Sequence, residues 1–124
     1  MAESTSGGTK LKVFSGKQAK LNRVILQIFF LKGPLISYDV CRFVVMIKDF
    51  GQTERKTVYD RVDALALEGY IIQRGTRATQ PGWPSELFEL TRKGKAALKA
   101  DKKSMDRFLA TATEEELQKF LDIY

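Results

Sequence analysis

The fold of this chain is decided by residues 51–91, GQTERKTVYDRVDALALEGYIIQRGTRATQPGWPSELFELT. Residues 53–68 have the apolar spacing of an amphipathic helix, and Gly69 supplies its C-terminal stop. The inward face of that helix is formed by Val58, Val62 and Leu65. Two strand-like segments follow, 70–74 and 85–90, joined by a loop rich in glycine, proline and arginine. The order predicts a helix followed at once by a two-stranded hairpin.

The segment before this stretch predicts two more helices. A capping-box pattern at residues 15–18 opens a first helix over 16–31, which is apolar on nearly every side. Residues 35–36 suit a short strand. Ser37 then caps a second helix over 38–50, although its many β-branched residues alone would favour a strand. We predict a helix because apolar residues recur at the helical spacing i, i+3, i+4 and i+7, namely Val40, Phe43, Val44 and Ile47.

The segment after the hairpin predicts helices as well. Thr91 caps a basic helix over residues 92–110. Its apolar positions repeat at seven residues: Leu98, Met105 and Ala112. Thr113 and Glu116 form a second capping box, which opens a last short helix. The apolar stripe of that last helix consists of Leu117, Phe120, Leu121 and Tyr124.

Composition excludes most enzymatic chemistry. The 124 residues include no histidine and one cysteine, Cys41, so zinc-finger sites, His-dependent catalysis and an intrachain disulfide are ruled out. We expect Cys41 to be a buried apolar residue. No acidic group has a metal-binding spacing. We therefore predict that the protein is not an enzyme and needs no cofactor or metal.

The same sequence predicts a cytoplasmic protein. No apolar run reaches the ~20 residues of a membrane span, and the N-terminus does not have the layout of a secretory signal. The net charge is +6, which favours polyanions without giving sequence preference. Residues 17–32 hold four basic and no acidic residues, whereas residues 101–124 hold four basic and six acidic residues. This asymmetry suits a DNA-facing body with a tail that points elsewhere. The expected location is the cytoplasm, in association with the nucleoid, or the host cytoplasm if the source is viral.

Two motifs carry a family resemblance. Residues 57–71 (TVYDRVxxLxxEGYI) and residues 90–98 (LTRKGxxxL) flank the basic loop in this order. The chain resembles the winged helix-turn-helix domain of MarR-like and PadR-like transcription regulators over residues 17–100. It is also similar to the small Lrs-like regulators of archaea and their viruses. The resemblance implies a dimeric DNA-binding regulator. MarR-like proteins often have extra N-terminal dimer helices, which we do not expect in this sequence. Small-molecule sensing is therefore not carried over from the resemblance.

The predicted fold class is α+β, mostly α. It comprises a winged helix-turn-helix of three helices plus a two-stranded wing, with C-terminal dimerisation helices. Residues 1–12 are expected to be a flexible basic arm, residues 13–91 the winged-helix domain, and residues 92–124 the C-terminal helices.

Double-stranded DNA is the predicted partner, with the recognition helix 53–68 in the major groove and the wing 74–85 on backbone or minor groove. The candidate contacts at the start of that helix are Gln52, Thr53, Arg55, Lys56, Thr57 and Tyr59. The candidates elsewhere are Arg74, Arg77, Lys93, Lys95, Ser37 and Tyr38. Asp60 and Asp63 share the outer face, so an ordinary solvated face with a Lys56–Asp60 pair is the alternative. Trp83 is expected to brace the hairpin.

A homodimer is the second predicted partner relationship. The candidate interface residues are Ile25, Phe29, Phe30, Leu98, Met105, Phe108, Leu109, Leu117, Phe120 and Leu121. For the first helix, burial under the C-terminal helices of its own chain and a dimer interface are equally good explanations. Two other functions stay open: a winged helix used only for protein–protein assembly, and a nucleoid-type protein that coats DNA without sequence choice.

Overall fold

The computed structural model describes residues 12–78 and 84–123. A 3₁₀ turn (Lys12–Phe14) precedes the first helix. The helices are α1 (Ala19–Lys32), α2 (Ser37–Val45), α3 (Arg55–Leu67), α4 (Arg92–Ala100), α5 (Lys102–Thr111) and α6 (Glu114–Ile123). The strands are β1 (Leu35–Ile36), β2 (Ile71–Ala78) and β3 (Pro84–Leu90). This order confirms the predicted short strand, the two-stranded wing and the helical segments, except that two helices stand where one was predicted over 92–110. The arm (1–11), Trp83 and Tyr124 lie outside the described residues.

Helix α1 is the centre of the core. Its side chains are buried around most of its circumference, namely Leu21, Asn22, Val24, Ile25, Leu26, Ile28 and Phe29. It contacts α2, α3, α4 and β3, which explains why so little of its surface is polar. Burying each large apolar side chain stabilises the fold by about 1.5–3 kcal/mol. The apolar circumference of α1 is therefore satisfied largely within one chain.

A buried amide ties α1 to its neighbours. The Nδ2 atom of Asn22 donates to the carbonyl of Val13 (2.7 Å), and its Oδ1 atom accepts from Nε of Arg61 on α3 (3.1 Å). Because both ends of the amide are hydrogen-bonded, its burial leaves no unpaired polar group there. These bonds fix the start of the described chain and the middle of α3 against the same helix.

The three strands form one antiparallel sheet in the order β1-β3-β2. Leu35 lies opposite Phe88 in the short β1–β3 pairing. The β2–β3 register shifts between Gln73 and Gly75, so Arg74 is the extra residue of a bulge. Ile71 is the buried residue of β2, and the other residues of that strand are exposed. The hairpin therefore extends away from the core, as a wing does.

The junction of α3, β2 and α4 is held by Thr91. Gly69 ends α3 in the left-handed region (φ 86°), as predicted. The Thr91 hydroxyl lies within hydrogen-bonding distance of the carbonyls of Gly69 (2.7 Å) and Tyr70 (3.0 Å), and it accepts from the backbone N–H of Gly94 (3.0 Å). The last contact confirms Thr91 as the N-cap of α4. One hydroxyl thus connects the end of α3, the start of β2 and the first turn of α4.

The predicted capping box at residues 15–18 is wrong. The Ser15 hydroxyl donates to the Lys12 carbonyl (2.9 Å), and α1 begins only at Ala19, without a side-chain cap at Gln18. The 3₁₀ turn before the helix takes up the serine, so it is not available to the helix N-terminus. The second box is confirmed: Thr113 and Glu116 exchange both hydrogen bonds, at 2.9 and 3.1 Å.

Helix α2 starts earlier and ends earlier than predicted. Ser37 is its first residue and not its cap, and the helix stops at Val45, where i→i+3 bonds tighten the chain. Asp49 then adopts a left-handed conformation (φ 76°) in the following turn. Ile47 still packs against the core from that turn. The helical spacing therefore indicated burial correctly but overstated the length of the helix.

Helix α3 begins later than predicted. Its N-cap is Glu54, which makes no side-chain cap hydrogen bond. The Thr53 N–H bonds back to the Phe50 carbonyl (3.1 Å), which closes the preceding turn. Gln52 and Thr53 therefore lie in the turn that leads into α3 and not on its first turn.

The predicted single helix over 92–110 is two helices. The chain is extended at Asp101 (ψ 108°), between α4 and α5. The Asp101 carboxylate pairs with Arg23 of α1 at 2.8 Å, and both side chains are largely buried. A partner 78 residues away in the sequence is involved, so local spacing could not reveal this break. Cys41 is buried, as predicted.

Gly94 should not tolerate a side chain. A Cβ atom there would collide with the carbonyl oxygen of Tyr70 and with Leu90 Cδ1 (2.5 Å). We expect Gly94→Ala to lower the free energy of unfolding by about 1–3 kcal/mol in urea denaturation, because overpacking outweighs the helix propensity of alanine. Gly51→Ala is the matched control, since its Cβ would meet only ordinary contact (3.6 Å). Equal stabilities of the two variants would contradict this packing.

Candidate nucleic-acid interface

Helix α3 presents one face to the core and the other to solvent. Val58, Val62 and Leu65 are fully buried, as predicted. The opposite face is exposed and carries Arg55, Lys56, Asp60 and Asp63. A helix with an outward polar face and an apolar anchor can enter a groove of DNA without losing its packing.

The outward face of α3 has mixed charge. Lys56 Nζ lies 3.1 Å from Asp60 Oδ2, which is the i,i+4 pair expected of a solvated helix. Both side chains are largely exposed, so the pair stabilises the helix by only ~0.3–0.5 kcal/mol. A phosphate or a base edge can displace a contact of this strength. The pair therefore leaves Lys56 accessible to a ligand.

Two tyrosines flank the start of α3. The Arg55 guanidinium lies over the Tyr38 ring at 5.6 Å, and Tyr38 is half exposed. Burial raises the pKa of the Tyr59 phenol, an effect that the Arg55 charge opposes. The Tyr59 hydroxyl is therefore uncharged at neutral pH and able to donate a hydrogen bond. Arg55, Tyr38 and Tyr59, all predicted contacts, lie together in the structure.

The wing, formed by β2 and β3, is fastened to the helix pair α2 and α3 by an ion pair that the sequence did not reveal. Arg77 Nη1 donates to Asp39 Oδ2 at 2.6 Å, and Arg42 lies 3.7 Å from the same carboxylate. Asp39 is only 8% exposed, whereas the Arg77 side chain is 54% exposed. Arg77, a predicted DNA contact, is thus held at the first turn of α2. The aspartate was missed because its partner is 38 residues away.

A groove runs between the wing and the helix pair. Its volume is about 600 Å³. It is lined by Ile36, Tyr38, Asp39, Arg42, Tyr59, Arg77, Ala78 and Ser85. A second hollow of about 320 Å³ adjoins it and includes Ser37 and Asp63. The two hollows bring together Ser37, Tyr38, Tyr59 and Arg77 from the predicted set.

The remaining predicted cations lie apart from this groove. Arg74 pairs with Glu89 across the wing at 2.9 Å. Lys93 Nζ donates to the carbonyl of Glu68 (2.7 Å) and lies over the Tyr70 ring at 4.5 Å. This places Lys93 at the C-terminal end of α3, where a cation is stabilised by the unpaired carbonyls of the helix. Since α3 has 13 residues, this end is ~20 Å from its N-terminal turn.

The predicted dimer residues divide into buried and accessible groups. Ile25, Phe29, Leu98 and Phe108 are buried in their own chain. The Phe30 and Phe108 rings make an edge-to-face contact at 5.8 Å. Such residues offer little surface to a second copy, and their burial fits coverage of α1 by its own C-terminal helices. Leu109 is 62% exposed, and Met105 and Leu117 are half-buried. The side chains of Phe120 and Leu121 lie outside the described residues.

Metal and membrane sites are absent from the described parts of the chain. Residues 12–78 and 84–123 contain no group of three or more His, Cys, Asp or Glu side chains that could hold a metal ion. No helix in these two ranges is both long enough and apolar enough to cross a membrane.

Solved structures share this architecture. The chain is similar to Bacillus subtilis PadR in complex with operator DNA, with 21% identity, a TM-score of 0.54, and coverage of 82% of this chain and 64% of PadR. It is also similar to diamide-treated YodB from B. subtilis, with 18% identity, a TM-score of 0.50, and coverage of 82% and 87%. The fold is a winged helix-turn-helix. With coverage of 64%, this chain spans less than two thirds of the length of that PadR chain.

A third likeness is to a candidate transcriptional regulator, TA0346, from Thermoplasma acidophilum, with 20% identity, a TM-score of 0.49, and coverage of 78% and 100%. No protein-family model matches the sequence, and no curated protein matches it. At these identities the likeness to PadR and YodB establishes the winged-helix fold, as the motifs at residues 57–71 and 90–98 predicted.

The Asp39–Arg77 pair should control how firmly the wing is held. We expect Asp39→Asn to lower the free energy of unfolding by about 1 kcal/mol, because a charge-assisted hydrogen bond at a buried carboxylate becomes a neutral one. Amide exchange in β2 and β3 should become faster. Glu89→Gln is the matched control, since it breaks the exposed Arg74–Glu89 pair and should change stability by less than ~0.5 kcal/mol. If amide hydrogen exchange in β2 and β3 is unchanged in Asp39→Asn, the wing is held by other contacts.

Proposed function

We propose that this protein is a dimeric, sequence-specific DNA-binding regulator of transcription. The observation that carries the proposal is the groove that Tyr59 of α3 shares with Tyr38 and the wing arginine Arg77, with Arg55 of α3 lying over the Tyr38 ring. In a winged helix these two elements are the ones that can meet a major groove and the adjoining backbone together. The presence of operator DNA in the PadR structure supports the same use of the fold.

In the proposed complex, the start of α3 reads base edges. Arg55 or Lys56 would pair with guanine, and the methyl group of Thr57 could meet thymine. Gln52 and Thr53 lie in the turn before α3, so they would approach the backbone flanking the groove or an adenine at its edge. Asp60 lies one turn further along the helix and would repel phosphate there. It therefore favours a pose in which the N-terminal turn enters the groove most deeply.

The wing is proposed to contact phosphates or the minor groove through Arg77 and Arg74. Both are exposed enough to reach a ligand, although each is paired with a carboxylate in the free protein. The surplus of positive charge lies mainly outside α3, on the arm, α1 and α4. We therefore propose that these flanks, with Lys93 and Lys95, supply affinity and that residues 52–59 supply selectivity.

The dimer is proposed to form through the accessible part of the C-terminal helices. Leu109 is the exposed large apolar side chain of α5, with half-buried Met105 on the same helix and half-buried Leu117 on α6. A two-fold dimer would place two recognition helices about one DNA turn, ~34 Å, apart and would select a palindromic site.

Salt dependence of DNA binding tests the interface. We expect the affinity of the wild type for a random-sequence duplex to fall as salt rises, because phosphate contacts release counterions. Lys56→Ala and Arg77→Ala should each make the slope of log K against log salt shallower by about 0.9 for each phosphate that the variant no longer neutralises. Lys119→Ala on α6 is the control and should keep the wild-type slope.

Three results would count against this function. Binding that is absent at low salt would favour a protein–protein assembly module instead. Slopes that are unchanged in Lys56→Ala and Arg77→Ala would remove α3 and the wing from the interface. Uniform footprints along genomic DNA, without a discrete palindromic window, would indicate coating of DNA and not regulation.

Light scattering tests the dimer. We expect Leu109→Glu to give the monomer mass, because a buried unpaired carboxylate in the proposed interface costs several kcal/mol. Met46→Glu makes the same change at a 78% exposed apolar residue outside the C-terminal helices, and it should keep the wild-type mass. A dimer that persists in Leu109→Glu would place the contact surface elsewhere.

A further inference from the structure

A second groove lies between α1, the turn that joins α2 to α3, and α5. Its volume is about 550 Å³, within the ~300–1,000 Å³ typical of small-molecule sites. The described residues that line it are Lys20, Arg23, Gln27, Lys48, Asp49, Phe50, Lys103 and Arg107. None of them lines the two hollows beside the wing. The groove is therefore separate from the proposed DNA-reading surface.

The lining of this groove is strongly basic. It holds five Lys or Arg side chains and one carboxylate, that of Asp49. Arg23 is neutralised by Asp101 at 2.8 Å. Four cations remain, namely Lys20, Lys48, Lys103 and Arg107, and none of them forms an ion pair with another described side chain. With the Asp49 carboxylate set against these four, the described lining has a surplus of three positive charges.

The fold itself brings these cations together. Lys20, Arg23 and Gln27 are spaced i, i+3 and i+7 on α1, so they share one face. Lys103 and Arg107 are spaced i and i+4 on α5 and share another. The break at Asp101, fastened to Arg23, sets where α5 starts relative to α1. The break between α4 and α5 is therefore part of what forms the groove.

Four like charges face this hollow with Asp49 as the one carboxylate in its described lining. Like charges that line a concave surface focus a positive potential, which attracts anions. A bound anion would stabilise the folded state by mass action. The half-buried Phe50 side chain supplies an apolar wall on one side of the hollow. A groove of this size and charge fits a compact anion better than a neutral or cationic molecule.

We propose that this groove binds a small, multivalent, phosphate-bearing anion. A single carboxylate would match one of the three surplus charges, whereas a di- or triphosphate group would match them all. Lysine ammonium groups bind phosphate as point charges, and the Arg107 guanidinium can bind two of its oxygens at once. The proposal commits to a free anion, because the groove shares no residue with the hollows beside the wing. Of the flanks proposed to supply affinity for DNA, only α1 contributes to the groove, through Lys20 and Arg23.

Inorganic pyrophosphate titrated into the full-length protein at low salt is the first test. We expect saturable binding by calorimetry and a rise in the melting temperature. Lys48→Glu and Lys103→Glu should each weaken binding by about tenfold or more, since each loses a charge-assisted contact and adds a repulsive one. Lys119→Glu is the matched control, with the same change of net charge on exposed α6, and should stay within about threefold of the wild type. The three lysines are exposed, and circular dichroism will verify that the variants fold.

A parallel titration with random-sequence duplex DNA separates the two sources of phosphate. Pyrophosphate binding that is lost in the groove variants and kept in Lys119→Glu supports the proposal, whether or not the protein also binds DNA. Equal weakening in all three variants would mean diffuse charge attraction and would overturn it. Failure of pyrophosphate to bind the wild type would also overturn it. If pyrophosphate does not bind and the groove variants flatten the salt slope for duplex DNA, the groove is a contact for the DNA backbone and the proposal is overturned.

Discussion

The burial of α1 within its own chain is the constraint on which the rest of the structure depends. Helices α3 and α4 and strand β3 all contact α1. Its polar side chains add hydrogen bonds and an ion pair to other elements. Asn22 bonds to Arg61 of α3, and Arg23 bonds to Asp101 between α4 and α5. A helix that is apolar around most of its circumference must be surrounded. Here the C-terminal helices do part of the surrounding, through the contacts of α4 with α1 and the Phe30–Phe108 contact.

Local chemistry explains which elements could be predicted. The inward face of α3, the stop at Gly69 and the cap at Thr91 depend on residues close in sequence, and all three were predicted correctly. The errors arose where a distant or competing bond decides. The Ser15 hydroxyl bonds back to Lys12, Thr53 bonds back to Phe50, and Asp101 bonds to Arg23. The spacing of apolar residues carries no information about such partners. It also led to a predicted α2 that runs past Val45, because Ile47 packs against the core although it lies in a turn.

The candidate interface shows the same division. Residue types and helical spacing were enough to select Arg55, Tyr38, Tyr59 and Arg77, which the fold brings together. They were not enough to show that Lys93 faces the opposite end of α3, or that a buried aspartate holds Arg77. Asp39 looks in the sequence like any acidic residue in the first turn of a helix. Only the sheet register, which places Arg77 opposite Ser85, makes its carboxylate the partner of the wing.

The Asp39 carboxylate gives the wing arginine an internal competitor. Arg77 Nη1 is bound to that carboxylate at 2.6 Å, and the rest of the side chain is half exposed. If Arg77 contacts DNA as proposed, a phosphate would either bind the remaining guanidinium N–H groups or displace Asp39. Displacement would exchange one charge-assisted bond for another, so the net gain would be smaller than that of an unpaired arginine. The Asp39–Arg77 bond would then weaken chance contacts of the wing with phosphate and make DNA binding depend more on the rest of the interface.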